Sequence, residues 1–463
     1  MSIDAGQSDP SVTDSLGFYT KGAGPPSYRT FTHCYHAVRP VLPIWLIQLS
    51  IVVVQPRPKQ APRNLWEAAM TASINQPKLS RRTALAAAGT LGALGITVAA
   101  GSESKAAPGP KPPKPSLAFR PNGTFKIVQF NDTQDDERTD RRTIELMERT
   151  LDAEKPDFVV INGDVITGGC DNELEVKQAL NHVVLPMERR RTSWAVTFGN
   201  HDEDSLARTG MTEAKMLAFL QSYEFNVNAD STPGLTGTSN TQLLIKSAKS
   251  KVPAFGLWLI DTGRYAPGTI NGQSFEGYPD WDWVRMDQVN WYREMSLATE
   301  RKYGKKVPSL MWGHIALHEH RNMWFASLDS RQESDHARAL TRHTIVGERN
   351  EDECPGPINS GLFNAFLERG DVKGYFVGHD HVNTYVGNYY GVELGYAPGT
   401  GFGAYGLPGA ERNRLRGARV FELDENHPGI YKDTRVVFAK DFGIDLTAND
   451  QPIEPLPLGP GQL

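Results

Sequence analysis

The tightest constraint on this chain is a set of short apolar, β-prone runs, each ended by a glycine and polar residues. Phe158-Val159-Val160-Ile161 runs into Gly163-Asp164, Trp194 to Phe198 into Gly199-Asn200-His201-Asp202, and Gly374 to Val377 into Gly378-His379-Asp380-His381. Continuous apolar runs of this length suit strands buried on both faces. Between them lie helical patterns: Ile144, Met147 and Leu151, then Leu174, Val176, Leu180 and Val183. Alternating strands and helices predict an α/β domain with helices covering a sheet. In such sheets ligands gather beyond the carboxyl ends of the strands. Asp132, Asp164, Asn200, His314 and His379 all follow such ends, so residues distant in sequence are expected to share one rim. Further strands are expected at Phe255 to Ile260, Ser309 to Trp312, Asn383 to Tyr390 and Gly417 to Leu423.

The chain has 463 residues, a formal net charge of −5 and 39 % hydrophobic residues, enough for one large domain with appendages. With no long Lys/Arg run, no nucleic-acid-binding surface is evident.

The N-terminal region reads as a processing segment. Ser80-Arg81-Arg82-Thr83-Ala84-Leu85, an Ala/Gly/Leu-rich run from Ala86 to Ala100 and the polar stretch 101–105 have the form of a twin-arginine signal. The apolar run falls short of the roughly 20 residues a spanning helix needs, so no stable membrane anchor is expected. Met70 stands where such a signal should start. The expected organisation is a doubtful extension (1–69), a cleaved signal (70–107), a Pro-rich linker (108–123), a catalytic domain (124–441) and a tail (442–463) whose last ten residues are disordered. Export through the twin-arginine machinery to the cell envelope or beyond follows. There, Cys170 and Cys354 can form a disulfide or stand as two buried thiols.

Carboxylates and imidazoles at one rim make a mixed oxygen and nitrogen donor set for Mn, Fe or Zn. Two such ions roughly 3.5–4 Å apart can make a hydroxide nucleophile from water and neutralise phosphoryl charge, with Asp164 as the bridging carboxylate. Asp132-Thr133-Gln134, Gly163-Asp164, Gly199-Asn200-His201-Asp202, His314 and Gly378-His379-Asp380-His381 together resemble the five motif blocks of the calcineurin-like metallophosphoesterases, in a subgroup similar to purple acid phosphatases. The resemblance spans about residues 124 to 440. It implies a four-layer α/β/β/α sandwich of two mixed β-sheets flanked by helices, and two divalent or mixed-valence ions. By the same resemblance, Asp132, Gln134, Asp164 and His381 surround the first ion, and Asp164, Asn200, His314 and His379 the second. His201 would contact the phosphoryl group and protonate the leaving oxygen, with Asp202 orienting its imidazole.

Two departures stand out. Gln134 occupies a position usually held by histidine, with Asp135 or Asp136 as alternative ligands, and its oxygen should favour Mn or Fe over Zn. Thr167 stands where purple members carry the tyrosine that colours their iron. The implied activity is hydrolysis of small phosphomonoesters by a metal-bound hydroxide. A phosphodiesterase acting on nucleotides or lipid headgroups and a catalytically weak binding protein are the alternatives. Several other segments are expected to serve structure. His318 and His320 read as exposed loop histidines, with lining of the substrate entrance as the alternative, Tyr278 to Trp283 as aromatic packing, Asp261-Thr262-Gly263 as a strand end beside the site, and Gly395 to Gly406 as a mobile lip or a plain surface loop.

Overall fold

The computed structural model describes residues 114–463 apart from Pro279, Pro460, Gly461 and Leu463. The extension, the twin-arginine segment and the first residues of the Pro-rich linker lie outside the described residues.

Strand β1 (Thr124–Phe130) leads into helix α1 (Arg141–Glu154), capped by the Asp140 side chain, which accepts from the Arg142 backbone N–H. Then come β2 (Phe158–Asn162), α2 (Glu173–Arg190) with Asn172 as its cap, and β3 (Ser193–Thr197). Two short helices, α3 (Leu206–Thr209) and α4 (Glu213–Leu220), precede strands β4 (Thr241–Lys246) and β5 (Pro253–Leu259). A two-residue hairpin, β6 (Thr269–Ile270) and β7 (Gln273–Ser274), stands before α5 (Met286–Tyr303) and β8 (Ser309–Trp312). Helices α6 (His318–Phe325), α7 (Glu333–His343) and α8 (Leu362–Arg369) follow. The remaining strands are β9 (Val372–Val377), β10 (Val386–Tyr389), β11 (Val392–Tyr396), β12 (Gly417–Asp424) and β13 (Tyr431–Phe438).

The strands form one sheet in the order β13-β12-β1-β2-β3 and another in the order β10-β11-β9-β8-β5-β4. In the first, β1, β2 and β3 are parallel, and β12 joins β1 antiparallel. In the second, β5, β8, β9 and β11 are parallel, with β4 and β10 antiparallel at the edges.

Side-chain alternation along each strand separates the layers. Phe125, Ile127, Phe158 and Val160 face Leu257, Leu259, Leu310, Trp312 and Phe376 in a core between the sheets. Val128, Phe130, Val159 and Ile161 pack with Met147 and Leu151 of α1 and Val176 and Leu180 of α2. On the far side, Trp258, Met311 and Tyr375 pack with Tyr292 of α5 and Phe366 of α8. The four-layer α/β/β/α sandwich of mixed sheets is therefore the observed architecture.

Both ends of the folded part differ from expectation. Leu117 and Phe119, assigned to the linker, are buried, and their segment exchanges backbone bonds with Lys246 at 3.0 and 2.9 Å. Burying two apolar side chains and pairing the edge of β4 outweighs the extended tendency of the prolines before them. The tail is also ordered through most of its described length. Arg142, fully buried, bonds Asp140 at 2.8 Å and donates to the carbonyls of Thr447 at 2.8 Å and of Asn449. Arg141 N–H donates to Gln451 O, Ile453 N–H to Thr139 O, and Leu456 N–H to the His182 ring. The tail supplies the acceptors that a buried guanidinium needs.

Removing one partner of a buried ion pair leaves the other charge stranded, so Arg142→Ala should lower unfolding free energy by about 3–5 kcal/mol. Denaturant unfolding measures this, and hydrogen exchange should show lost protection at Gln451 and Ile453.

Candidate metal centre

The carboxyl ends of β1, β2, β3, β8 and β9 open onto one edge of the sheet pair, and the loops leaving them carry the donors. Among the described residues two groups satisfy the geometry for a cation: Asp132, Asp164 and His381, and Asp164, His314 and His379, each with donor atoms within 4.8 Å of one another. Asp164 belongs to both. All five side chains are buried.

Hydrogen bonds outside the centre orient the imidazoles toward it. The Nδ1 of His314 lies 2.9 Å from Asn162 O and that of His381 lies 3.2 Å from Tyr405 O, so each donates there and keeps Nε2 for the centre. His314 Nε2 is 3.2 Å from Asp164 Oδ2, and His381 Nε2 is 3.5 Å from Asp132 Oδ1. Asn200 is buried with both its amide oxygen and nitrogen lacking any partner, an arrangement that ordinarily costs about 1–3 kcal/mol. A cation accepting the amide oxygen removes part of that cost, and the donor set fits two ions sharing Asp164. The Gln134 side chain also reaches the centre, its Nε2 3.3 Å from Asp164 Oδ2. Asp135 and Asp136 turn elsewhere. Asp135 accepts from Thr143 Oγ1 at 2.9 Å, and Asp136 accepts from Arg138 N–H at 2.8 Å.

Concentrated charge in a dry cluster displaces the titrations. Burial pushes Asp132 up to about 7. Burial acts the same way on Asp164, but the His314 and His201 imidazoles outweigh it and hold that carboxylate well below its ordinary range. Burial lowers His314, yet Asp164 and Asp132 carry it up to about 10. Burial, with nearby Arg416, brings His381 down to about 3, and burial with His314 takes His379 well below an ordinary imidazole. Neutral His379 and His381 beside an ionised Asp164 are in the states that ligands require.

The backbone is strained where the donors sit. Asp132, Gln134, Asp164 and His379 have positive φ, whereas Lys155, Arg191, Ala326 and Thr344 share that conformation only to close helices. Gly163 and Gly199 permit the packing, since a Cβ on either would enter the His314 ring, and at Gly199 also the Asp164 backbone.

His201 follows Asn200, and its backbone N–H donates to Asp164 Oδ1 at 2.8 Å. Asp202 does not orient its imidazole. The Asp202 carboxylate instead accepts from the backbone N–H groups of Gly199, Val165 and Ile166 at 2.7, 2.8 and 3.1 Å, tying the β2 and β3 loops together. Chain direction after His201 turns the imidazole toward Asp204, whose Oδ2 lies 2.5 Å from His201 Nδ1. Arg264 holds the same turn, donating to Asn200 O, Glu203 and Asp204 at 3.1, 3.1 and 2.8 Å. Burial lowers His201, but Asp164 and Asp204 outweigh it and raise the imidazole above its ordinary range.

Sequence reasoning missed Asp204, Arg264, Tyr265, Trp281 and Tyr405. Asp204 lies three residues beyond His201, and Arg264 and Tyr265 directly follow Asp261-Thr262-Gly263, so the signal was proximity to motifs already recognised. Trp281 presents its ring 4.6 Å from His379, and Tyr405 stacks 3.9 Å from the His381 ring. The aromatic segment therefore packs partly on the centre itself.

Other expectations change as well. His320 is buried against Tyr375 and Tyr396, and burial brings it down to about 4, while His318 begins α6. The 395–406 segment is buried through Phe402 and emerges at Gly403 and at Tyr405, beside His381. Thr400 and Gly401 N–H groups donate to Asn131 and Asp132 carbonyls, and Gly401 lies so close to Thr133 O that no Cβ fits. Cys170 is a buried thiol, pushed up to about 12 by burial and unbonded to Cys354.

The calcineurin-like phosphoesterase family model matches residues 125–383. An Arabidopsis thaliana protein named probable inactive purple acid phosphatase 29 is 32 % identical over 67 % of this chain and 79 % of its own length. Another from the same plant, probable inactive purple acid phosphatase 14, is 29 % identical over 66 % of this chain and 77 % of its own. A dimetal phosphatase from Danio rerio superposes with a TM-score of 0.38 at 13 % identity, over 68 % of this chain and 99 % of its own. With the family match running through all five donor loops and the plant relative covered over most of its length, the chain belongs to the calcineurin-like phosphoesterases, hydrolases of phosphoric ester bonds.

Proposed function

We propose that this protein is an exported phosphatase that hydrolyses small phosphomonoesters at a centre of two cations. The observation that carries the reading is the pair of buried donor groups sharing Asp164, with His201 adjoining them. Asp132, Gln134, Asp164 and His381 would hold one ion, and Asp164, Asn200, His314 and His379 the other. Bound there, the ions would supply positive charge to the phosphoryl oxygens and make a water molecule more acidic.

The chain's own groups divide the remaining work. Asp204 takes the Nδ1–H of His201, which leaves Nε2 to carry a proton to the departing alkoxide. Trp281 beside His379 and Tyr405 over His381 narrow the approach on two sides. With its amide turned so that the oxygen faces the ion, Gln134 would incline the first position toward Mn or Fe over Zn. Export by the twin-arginine pathway rests on the sequence of residues 80–105, and among the described residues no helix is long and apolar enough to cross a membrane.

A second reading is a binding protein without turnover. It is favoured by the names of the plant relatives and by the Gln134 amide nitrogen facing Asp164. Phosphodiesterase action is the third.

The experiment is release of p-nitrophenol from the mono- and bis-esters with and without added Mn, alongside elemental analysis. Faster release from the monoester by metal-replete protein is the expected result. Diester preference selects the phosphodiesterase, and no release from either ester selects the binding protein. His201→Ala should retain both ions while turnover falls about 10²–10⁴-fold. Asp164→Asn should lose metal, measured by the same elemental analysis. Thr167 offers no phenolate to ferric iron, so iron-loaded protein should lack a strong visible charge-transfer band, and an absorption spectrum showing one refutes this.

A further inference from the structure

We propose that Tyr265 and Trp281, paired at the base of a hairpin arm, form a wall for the leaving group and select phosphomonoesters whose alcohol half carries an aromatic ring. This rests on the phosphomonoesterase reading and adds to it the part of the substrate beyond the phosphorus.

The arm runs from Arg264 to Asp282, between β5 and α5. Its base is a short ladder in which Ala266 N–H donates to Asp280 O at 2.6 Å and Asp282 N–H to Arg264 O at 3.1 Å, with Tyr265 and Trp281 as antiparallel partners. Gly263 sends the arm away from the end of β5 with φ 75°, and a Cβ there would meet the Asp282 carboxyl. Side chains of directly opposed antiparallel residues lie on the same side of a ribbon. The two rings are accordingly 5.8 Å apart, tilted by 32°.

The ring pair spans from one functional residue to another. Tyr265 Oη is 3.3 Å from His201 Nδ1 and 3.0 Å from Asp204 Oδ1, while the Trp281 ring stands nearly perpendicular to His379. The Tyr265 ring stands edge-on to the His201 imidazole, centroids 6.4 Å apart, so an alcohol leaving beside His201 has this ring within reach of its distal part. Tyr265 remains 38 % exposed although its hydroxyl is bonded to Asp204 and the residues on either side of it pair with Asp280 and Asp282. A planar surface already fixed in place loses little conformational entropy when another ring packs on it. Arg264 lies 5.3 Å from the Tyr265 ring, but its donors are engaged by Asn200 O, Glu203 and Asp204. The wall thus offers apolar, aromatic contact in preference to ionic contact.

Ethyl phosphate and 2-phenylethyl phosphate test this, because their leaving alcohols are nearly equal in acidity and differ in the ring. With Mn-loaded enzyme, kcat/KM should be about three- to tenfold higher for the phenylethyl ester, the range expected of one aromatic pair. Trp281→Leu should bring the ratio near one, and Trp281→Phe should keep most of it. Tyr390→Ser, which removes an exposed tyrosine outside the arm, should leave the ratio unchanged. Elemental analysis of each variant separates a lost wall from a lost centre, and if Trp281→Leu loses metal, Tyr265→Leu carries the same comparison. Metal-replete wild-type protein that hydrolyses neither ester defeats the phosphomonoesterase reading. Equal efficiency on both esters, or a preference that survives loss of the ring in metal-replete protein, overturns the wall while leaving that reading intact.

Discussion

Everything at the rim depends on Asp164, an ionised carboxylate kept in a space from which water is excluded. An isolated charge there would cost several kcal/mol. Neighbours make the position tenable: the His201 N–H, the His314 ring and the Gln134 amide all converge on its two oxygens. Those neighbours come from three other loops, so the carboxylate organises the ends of separate strands around a single charge. Gly163 and Gly199 lack side chains because the loops must close to within contact of one another around it.

The architecture follows from strand patterning more simply than the site does. Phe158 to Ile161 is apolar at every position because β2 is covered on both faces, by the second sheet and by α1 and α2. A run with that property announces a central strand, and the polar residues after it announce a rim. The donor residues were legible for the same reason: glycine followed by Asp, Asn or His at a strand end is a costly arrangement unless those groups have something to bind.

What the sequence concealed is mostly orientation. Asp202 and Asp204 are both acidic and both close to His201, and only the path of the turn decides that Asp202 faces three backbone amides while Asp204 faces the imidazole. Composition suggests disorder for the Pro/Gly-rich last ten residues, yet Leu456 N–H among them donates to the buried His182 ring. Just before that stretch, Thr447 and Asn449 supply the carbonyls that the buried Arg142 guanidinium bonds. His320 reads as an exposed loop histidine from sequence, but its ring packs against Tyr375 and Tyr396 in the aromatic core of the second sheet.

The pairing of β1 with β12 joins Thr124 to Asp424, across nearly the whole length of the domain. Contacts so distant along the chain form slowly, because the intervening loop must lose its freedom before the pairing rewards it. Asp132, Gln134, Asp164 and Asn200 follow strands of the first sheet and the three imidazoles follow strands of the second, so the cation cage exists only where the two sheets are packed together.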